Sequence, residues 1–378
     1  MAIFKTAIKF IKYDKAKSIG VTAGILISTF LIGQQLGILD YLMRLMAAPV
    51  DNAKAQIWVA DTRTRDANQL AAIDIKKLRE VKSIGGVKEA FPLVVTVGSA
   101  TLDKGRTSSV TLIGLESPHF NGGPPAEKIV NGNLQDLQVE GAVTSDFFDK
   151  EVFDVPTSVG TQMEINGKKA FIAVQSKAVR GFGFGLMYTT IERARYFANL
   201  SPDKINAILV NVNDDANVED VVATINKNIY GVKAFTSADL RSSTISTVIA
   251  TTGIASSTGT LIIFALIAGF FIIGLTMYSS ALDRIRDYGT LKAIGSSNGY
   301  IRKLILTQAI LFAVIGYILA YGMLLGFKSG VKETGLIVHY RTDVLIGIFI
   351  VIVLISVIAS SFALRKIKGV EPASVFRG

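Results

Sequence analysis

Four long runs without a charged residue set the strongest constraint on how this sequence can fold. They cover residues 18–39, 242–282, 304–327 and 344–364. A helix of about 20 such residues, rising about 1.5 Å per residue, spans a hydrocarbon core roughly 30 Å thick. The order of the runs therefore predicts one membrane helix, a large insert, and then three further membrane helices.

The basic excess of the chain lies beside these runs and not on the insert. The formal net charge is +10, yet residues 47–241 carry 22 Lys and Arg against 23 Asp and Glu. Cations that flank apolar spans mark the cytoplasmic side. We therefore expect both termini and the loop after the second run in the cytoplasm, and the insert outside. Nucleic acid is not an expected partner, because its binding would need cations clustered on the insert.

The first run could also belong to a cleaved signal peptide, because lysines precede it. Its 22 uncharged residues exceed the usual apolar core of about 7–15 residues, which favours an uncleaved anchor. Cysteine is absent, so disulfides and thiolate chemistry are excluded.

These patterns predict a membrane α-helical bundle of four transmembrane helices plus an extracytoplasmic α+β domain. The first 17 residues form an amphipathic pattern, which we expect along the inner membrane surface. The predicted division is a cytoplasmic helix (1–17), a first span (18–46), an outer domain (47–241) with a strand-rich insertion (about 127–200), a stalk helix (242–259), a second span (260–282), a cytoplasmic coupling segment (283–303), a third span (304–327), an outer loop (328–343), a fourth span (344–364) and a cytoplasmic tail (365–378).

The second apolar run is too long for a single crossing at 41 residues. Its first part, 242–259, is rich in Ser and Thr. We expect this part to be a helical stalk that continues without a break into the span over 260–282.

Small residues recur along one face of the first span. They are Gly20, Gly24, Ser28, Gly33 and Gly37. Such residues let another helix approach closely, within the chain or between two copies. Glycine is also generally frequent in membrane helices, which leaves the ordinary interpretation open.

Two glutamines and a glycine-rich loop are candidates for substrate or partner contacts. Gln34 and Gln35 are costly in lipid unless paired, so they either face a substrate path or hydrogen-bond a neighbouring helix. The Gly-Phe-Gly-Phe-Gly run at 181–185 presents Phe182 and Phe184, either as a binding surface or as part of a structural turn.

No catalytic or metal-binding arrangement emerges from the sequence. His119 and His339 lie far apart and outside any metal-ligand spacing. The chain also lacks the GxxxxGK[ST] phosphate-binding loop. We therefore expect no enzyme activity and no cofactor in this chain.

The segment after the second span is the strongest functional candidate. Apolar residues at a spacing of three predict a short amphipathic helix that suits docking onto a cytoplasmic protein. An ordinary positively charged loop is the alternative. The candidate residues are Asp283, Arg284, Arg286, Asp287, Tyr288, Gly289, Leu291, Lys292, Ile294 and Gly295.

This segment resembles the signature of FtsX-like ABC transporter permeases, the MacB superfamily. Residues 284–296, RIRDYGTLKAIGS, are similar to the pattern R-x-R-E-x-G-x-L-[KR]-A-[IML]-G, with Asp287 in place of Glu. The tail at 371–377 is similar to the closing P-x-x-[AV]-[LF]-R, and 33–40 and 57–61 resemble the DevC subgroup.

The resemblance implies a permease subunit in a bacterial cytoplasmic membrane, in contact with membrane lipids and paired with a second copy. Two copies of a separate ATPase would bind ATP and Mg, move the coupling segment, and drive the outer domains. The implied process is export of a lipid, peptide, lipoprotein or drug-like substrate. In the DevC subgroup a periplasmic adaptor and an outer-membrane channel complete the exporter. The alternative is a regulator of the FtsX type that activates a cell-wall hydrolase.

Overall fold

The computed structural model describes residues 2–102 and 106–368. The chain divides into two compact units, Met1–Asp40 with Ile254–Gly378, and Tyr41–Gly253. The tail motif at 371–377 lies outside the described residues.

Within the described residues the strands all lie in the second unit, whereas helices occur in both units. The helices are α1 (Ala2–Tyr13), α2 (Lys15–Met46), α3 (Ala48–Ala53), α4 (Lys77–Lys82), α5 (Lys150–Phe153), α6 (Ile191–Ala198), α7 (Val218–Asn228), α8 (Ser237–Thr252), α9 (Ile254–Asp283), α10 (Ile285–Ala293), α11 (Asn298–Val331) and α12 (Thr342–Lys368). The strands are β1 (Ile57–Asp61), β2 (Ile73–Asp74), β3 (Val87–Leu102), β4 (Arg106–Leu115), β5 (Ile129–Asn131), β6 (Ala142–Asp146), β7 (Gln162–Ile165), β8 (Lys168–Ser176), β9 (Gly185–Thr190), β10 (Lys204–Ile205), β11 (Ala207–Val212) and β12 (Val232–Thr236).

The first unit is built from the four predicted apolar helices. Within the described residues, α2, α9, α11 and α12 are the helices long and apolar enough to cross a membrane. Large apolar side chains stay exposed on their outer faces, as Phe264 and Leu275 do at 64% and 66%. Water would penalise such surfaces, whereas lipid tails would not. The predicted combination of four membrane helices with an α+β domain is confirmed.

The small residues of α2 lie against other helices of the same chain. A side chain on Gly24 would overlap Ile272 of α9, and one on Gly33 would lie 2.6 Å from Cδ1 of Leu324 in α11. Ser28 occupies the space beside Gly269. These positions are therefore packing residues within the chain. The pairing of two copies through the first and second spans stays a prediction.

The contact at Gly24 yields a prediction with an internal control. Gly24→Ala should lower the free energy of unfolding by about 1–3 kcal/mol, because the added methyl group overfills the contact with Ile272. Gly322→Ala in α11 should be neutral or stabilising, because nothing lies within 4 Å of that position and alanine favours the helix. Helical circular dichroism during heating in one detergent measures both variants. Equal melting curves for Gly24→Ala and the unsubstituted chain would contradict the packing contact.

The predicted continuous stalk is wrong, because the helix breaks at Gly253. Helix α8 ends at Thr252, Gly253 takes a left-handed conformation with φ of +68°, and α9 begins at Ile254. Only glycine adopts that conformation at little cost. The hydroxyls of Thr251 and Thr252 donate back to the carbonyls of Thr247 and Val248 in the preceding turn, which pairs these hydroxyls within α8.

The second unit is organised around one long strand, β3, whose two halves pair with different strands. The first half of β3 pairs with β11, and its second half forms a hairpin with β4. Strands β12, β1, β11 and β3 lie side by side, with β1 antiparallel to both neighbours. We call this part the terminal lobe. Helix α7 connects β11 to β12, and its Val221 and Ile225 are buried.

The second half of β3 carries the strand-rich part of the domain, which we call the insert lobe. Strand β9 runs parallel to β4, β7 adds to the end of β3, and β8 pairs with β7, β6 and β5. The β7–β8 turn has Asn166 and Gly167 with φ of +51° and +73°, as a tight hairpin turn requires. The predicted α+β domain is confirmed, whereas the insert lobe begins within β3 and includes β4, ahead of the predicted bounds of about 127–200.

Candidate functional site

The candidate site is a short helix that follows the end of α9. Helix α9 stops at Asp283, and Arg284 takes φ of −101° and ψ of 19° before α10 begins at Ile285. The two helices are therefore separate. Asp283 and Arg286, which the sequence places three residues apart, belong to different helices, and Asp283 forms its ion pair with Lys17.

One face of α10 is buried within the first unit. Tyr288 is 2% exposed, and its ring centroid lies 5.8 Å from that of Phe10 in α1. Gly289 beside it is also buried, and Leu291 packs against the same apolar cluster. Burial raises the pKa of Tyr288 to about 12, so this side chain stays neutral and acts as a packing group.

The opposite face of α10 is open. Arg286 and Asp287 are exposed, and Ile294 just after the helix is 77% exposed. The predicted apolar stripe therefore holds through Leu291 and fails at Ile294, because the helix ends at Ala293. The open face of α10 and the residue after it thus present a cation, a carboxylate and a large apolar side chain.

The chain leaves α10 through a defined turn. Gly295 has φ of +93°, and the amide of Ser296 donates to the carbonyl of Leu291 at 2.9 Å. This 6→1 bond with glycine in the left-handed conformation is the Schellman arrangement that ends a helix. Ser297 then caps α11 by accepting from the amide of Tyr300 at 3.2 Å. The exposed position of Ile294 is therefore fixed on both sides.

The other predicted contact residues lie in two places. Gln34 and Gln35 are half-buried in α2. In the second unit Phe184 is 47% exposed and Phe182 is half-buried, so the loop at 181–185 presents at least one free aromatic ring. His119 and His339 join no cluster, and among the described residues no group of metal ligands forms.

Two buried aspartates next to this loop were missed in the sequence. Asp146 and Asp149 are fully buried, and Arg180, which precedes the loop, places Nε 3.9 Å from Oδ1 of Asp149. Asp149 Oδ2 accepts from the Ser145 hydroxyl and the Asp146 amide. The spacing of the two aspartates matches a capping box, which is the signal that could have revealed them.

Burial, together with the charge of Asp146, raises the pKa of Asp149 from 3.8 to about 6. The folded domain therefore keeps a proton that the unfolded chain releases, and its free energy of unfolding falls as the pH rises from about 4 to about 6. Arg180 opposes this shift but does not cancel it.

We predict that unfolding of the second unit occurs at a lower temperature at pH 7 than at pH 5, by roughly 5 °C. Asp149→Asn should reduce the change in unfolding temperature between pH 5 and pH 7. It should not abolish that change, because burial also raises the pKa of Asp146. The single tryptophan, Trp58, is fully buried in this unit, so its fluorescence during heating of the full chain gives the measurement. Exposed Asp215 supplies the control Asp215→Asn. An unchanged pH dependence in Asp149→Asn would refute the assignment.

A known protein family matches the part of the chain that contains α10. Residues 259–372 match the family described as FtsX-like permease C-terminal. That range includes most of α9, all of α10 and α11, and α12. No curated protein matches the sequence.

Two solved structures are similar to half of the chain. The periplasmic region of MacB from Actinobacillus actinomycetemcomitans is 12% identical with a TM-score of 0.38, over 50% of this chain and 92% of that one. The extracellular domain of the noncanonic ABC-type transporter YknZ from Gram-positive bacteria is 11% identical with a TM-score of 0.35, over 48% and 98%.

Proposed function

We propose that this chain, whose residues 259–372 form an FtsX-like permease domain, is the permease subunit of an ABC transporter. The observation that carries the proposal is the family match, because it spans three of the four apolar helices and the segment between them. The signature that the sequence predicts at 284–296 lies within the range that matches the family.

The open face of α10 is the docking surface for a separate ATPase in this proposal. Arg286 and Asp287 supply charges for orientation, and Ile294 supplies an apolar contact. Two ATPase copies on two permease copies would change their separation when they bind ATP and Mg. The permease responds only if the ATPase has different affinities for its two states.

The process that this motion drives is export across a bacterial cytoplasmic membrane. The substrate class is a lipid, peptide, lipoprotein or drug-like molecule, handled by the second unit on the outer side. The basic residues around the membrane runs support cytoplasmic termini and contact with lipid headgroups. An adaptor, an outer-membrane channel and membership in the DevC subgroup extend the proposal and rest on the sequence resemblance alone.

Charge reversal on α10 tests the docking surface. Asp287→Arg should weaken association of the full-length permease with its ATPase about tenfold, because it places a repulsive charge in the contact. The tagged permease is purified from its own membranes. The amount of ATPase subunit that co-purifies and the rate of ATP hydrolysis in the purified sample are then measured. Asp215→Arg makes the same charge change on an exposed loop of the second unit and should recover the unsubstituted amount.

Full recovery with Asp287→Arg would contradict the docking role of α10. Failure to recover any ATPase with the unsubstituted chain would contradict the proposed function itself. The proteins that co-purify also separate export from regulation: an adaptor and a channel support export, and a cell-wall hydrolase supports the regulatory alternative.

A further inference from the structure

The amphipathic helix at the start of the chain uses its apolar face inside the protein. Ala7 of α1 is fully buried, and Ile3, Phe10 and Ile11 pack against the cluster that contains Tyr288. The predicted location along the membrane surface therefore does not account for this face. What remains outside includes Phe4 at 51% exposure and the lysines of the opposite face.

Helix α1 packs mainly against α11, and Arg284, the residue between α9 and α10, binds its C-terminal turn. It is only 6% exposed, and one guanidinium nitrogen donates to the carbonyl of Phe10 at 2.6 Å. The guanidinium carbon also lies 4.8 Å from the centroid of the Phe10 ring and 5.5 Å from that of Tyr13. Arg284 thus makes one charged hydrogen bond and two cation–π contacts with one turn of α1.

These contacts satisfy the C-terminal end of α1. The last four carbonyls of a helix have no partner within it, and they carry partial negative charge. Phe10 is one of these residues in α1, which ends at Tyr13. The carbonyl of Ile11 accepts from the hydroxyl of Ser18 at 2.8 Å. A buried arginine at this end therefore supplies both a missing donor and a favourable charge.

A second contact connects the start of α2, which follows α1, to the end of α9. Lys17 forms an ion pair with Asp283, the last residue of α9, and its Nζ also donates to the carbonyl of Ser279 at 3.3 Å. Lys17 therefore joins the start of α2 to the end of α9, and Arg284, the next residue after Asp283, joins the start of α10 to the end of α1. Both contacts join parts of the chain more than 260 residues apart in sequence.

We infer that Arg284 is a positioning residue that fixes the N-terminal helix to the coupling segment, so that α1 and α10 move as one body. The exposed residues of α10 keep their orientation only while α1 supports its buried face. Arg284 thus acts inward, although its place in the sequence signature suggested a partner contact. The role of this brace in transport rests on the proposed function, whereas the brace itself does not.

A spin label tests the brace without any partner. The chain has no cysteine, so Lys9→Cys provides a unique labelling site on the exposed face of α1. Arg284→Gln should raise the mobile fraction of the label about tenfold, because it removes a hydrogen bond from a charged donor. Arg284→Lys should restore part of the order, since it keeps the cation. Arg286→Gln, two residues away and exposed, should leave the label unchanged.

The same variants separate this inference from the proposed function. In the complex with the ATPase, Arg284→Gln should retain bound ATPase but lose most of the coupling between hydrolysis and transport, whereas Arg286→Gln should weaken binding. A label equally ordered in Arg284→Gln and the unsubstituted chain would overturn the brace. The label could become mobile in Arg284→Gln while even the unsubstituted chain recovers no ATPase. That result would support the contact between Arg284 and α1 and contradict the proposed function.

Discussion

The close approach of α2 to its neighbours is the contact on which the rest of the first unit depends. Lipid tails are as apolar as leucine, so membrane helices gain little from apolar surface alone and associate through tight packing. Gly24 and Gly33 allow this packing against α9 and α11, and Gly316 of α11 receives Ile25 in return. With these helices fixed, the start of α2 and the end of α9 bring Lys17 into contact with Asp283 and Ser279, next to Arg284.

Helix α10 has a buried face and an exposed face because α9 ends at Asp283 and the chain turns at Arg284. A continuous helix would carry α10 away in the direction of α9, and Tyr288 would lose the ring of Phe10. The break instead turns α10 so that Tyr288 and Gly289 are buried while Asp287 stays accessible. A helix supported in this way can transmit a force applied to its open face, because its buried face is already packed.

Long-range order was predictable from the sequence where a single physical cause acts over many residues. The four apolar helices follow from the length of the charge-free runs, since lipid requires every backbone polar group to be paired internally. The break at Gly253 was not predictable from the sequence, because one glycine in a run rich in Ser and Thr gives no clear signal that a helix ends. The inward role of Arg284 was also hidden, since its acceptor, the carbonyl of Phe10, is distant in sequence and belongs to the backbone.

The long strand β3 determines how the second unit could be modified by recombination. Because β3 contributes hydrogen bonds to both lobes, a graft that replaced the insert lobe at its sequence boundaries alone would cut the sheet in the middle of a shared strand. A successful exchange would retain Val87–Leu102 whole and join the foreign segment in the loops beyond it. The smallest exchangeable part of this domain is thus larger than either lobe, and only the loops beyond β3 can be replaced without breaking the shared sheet.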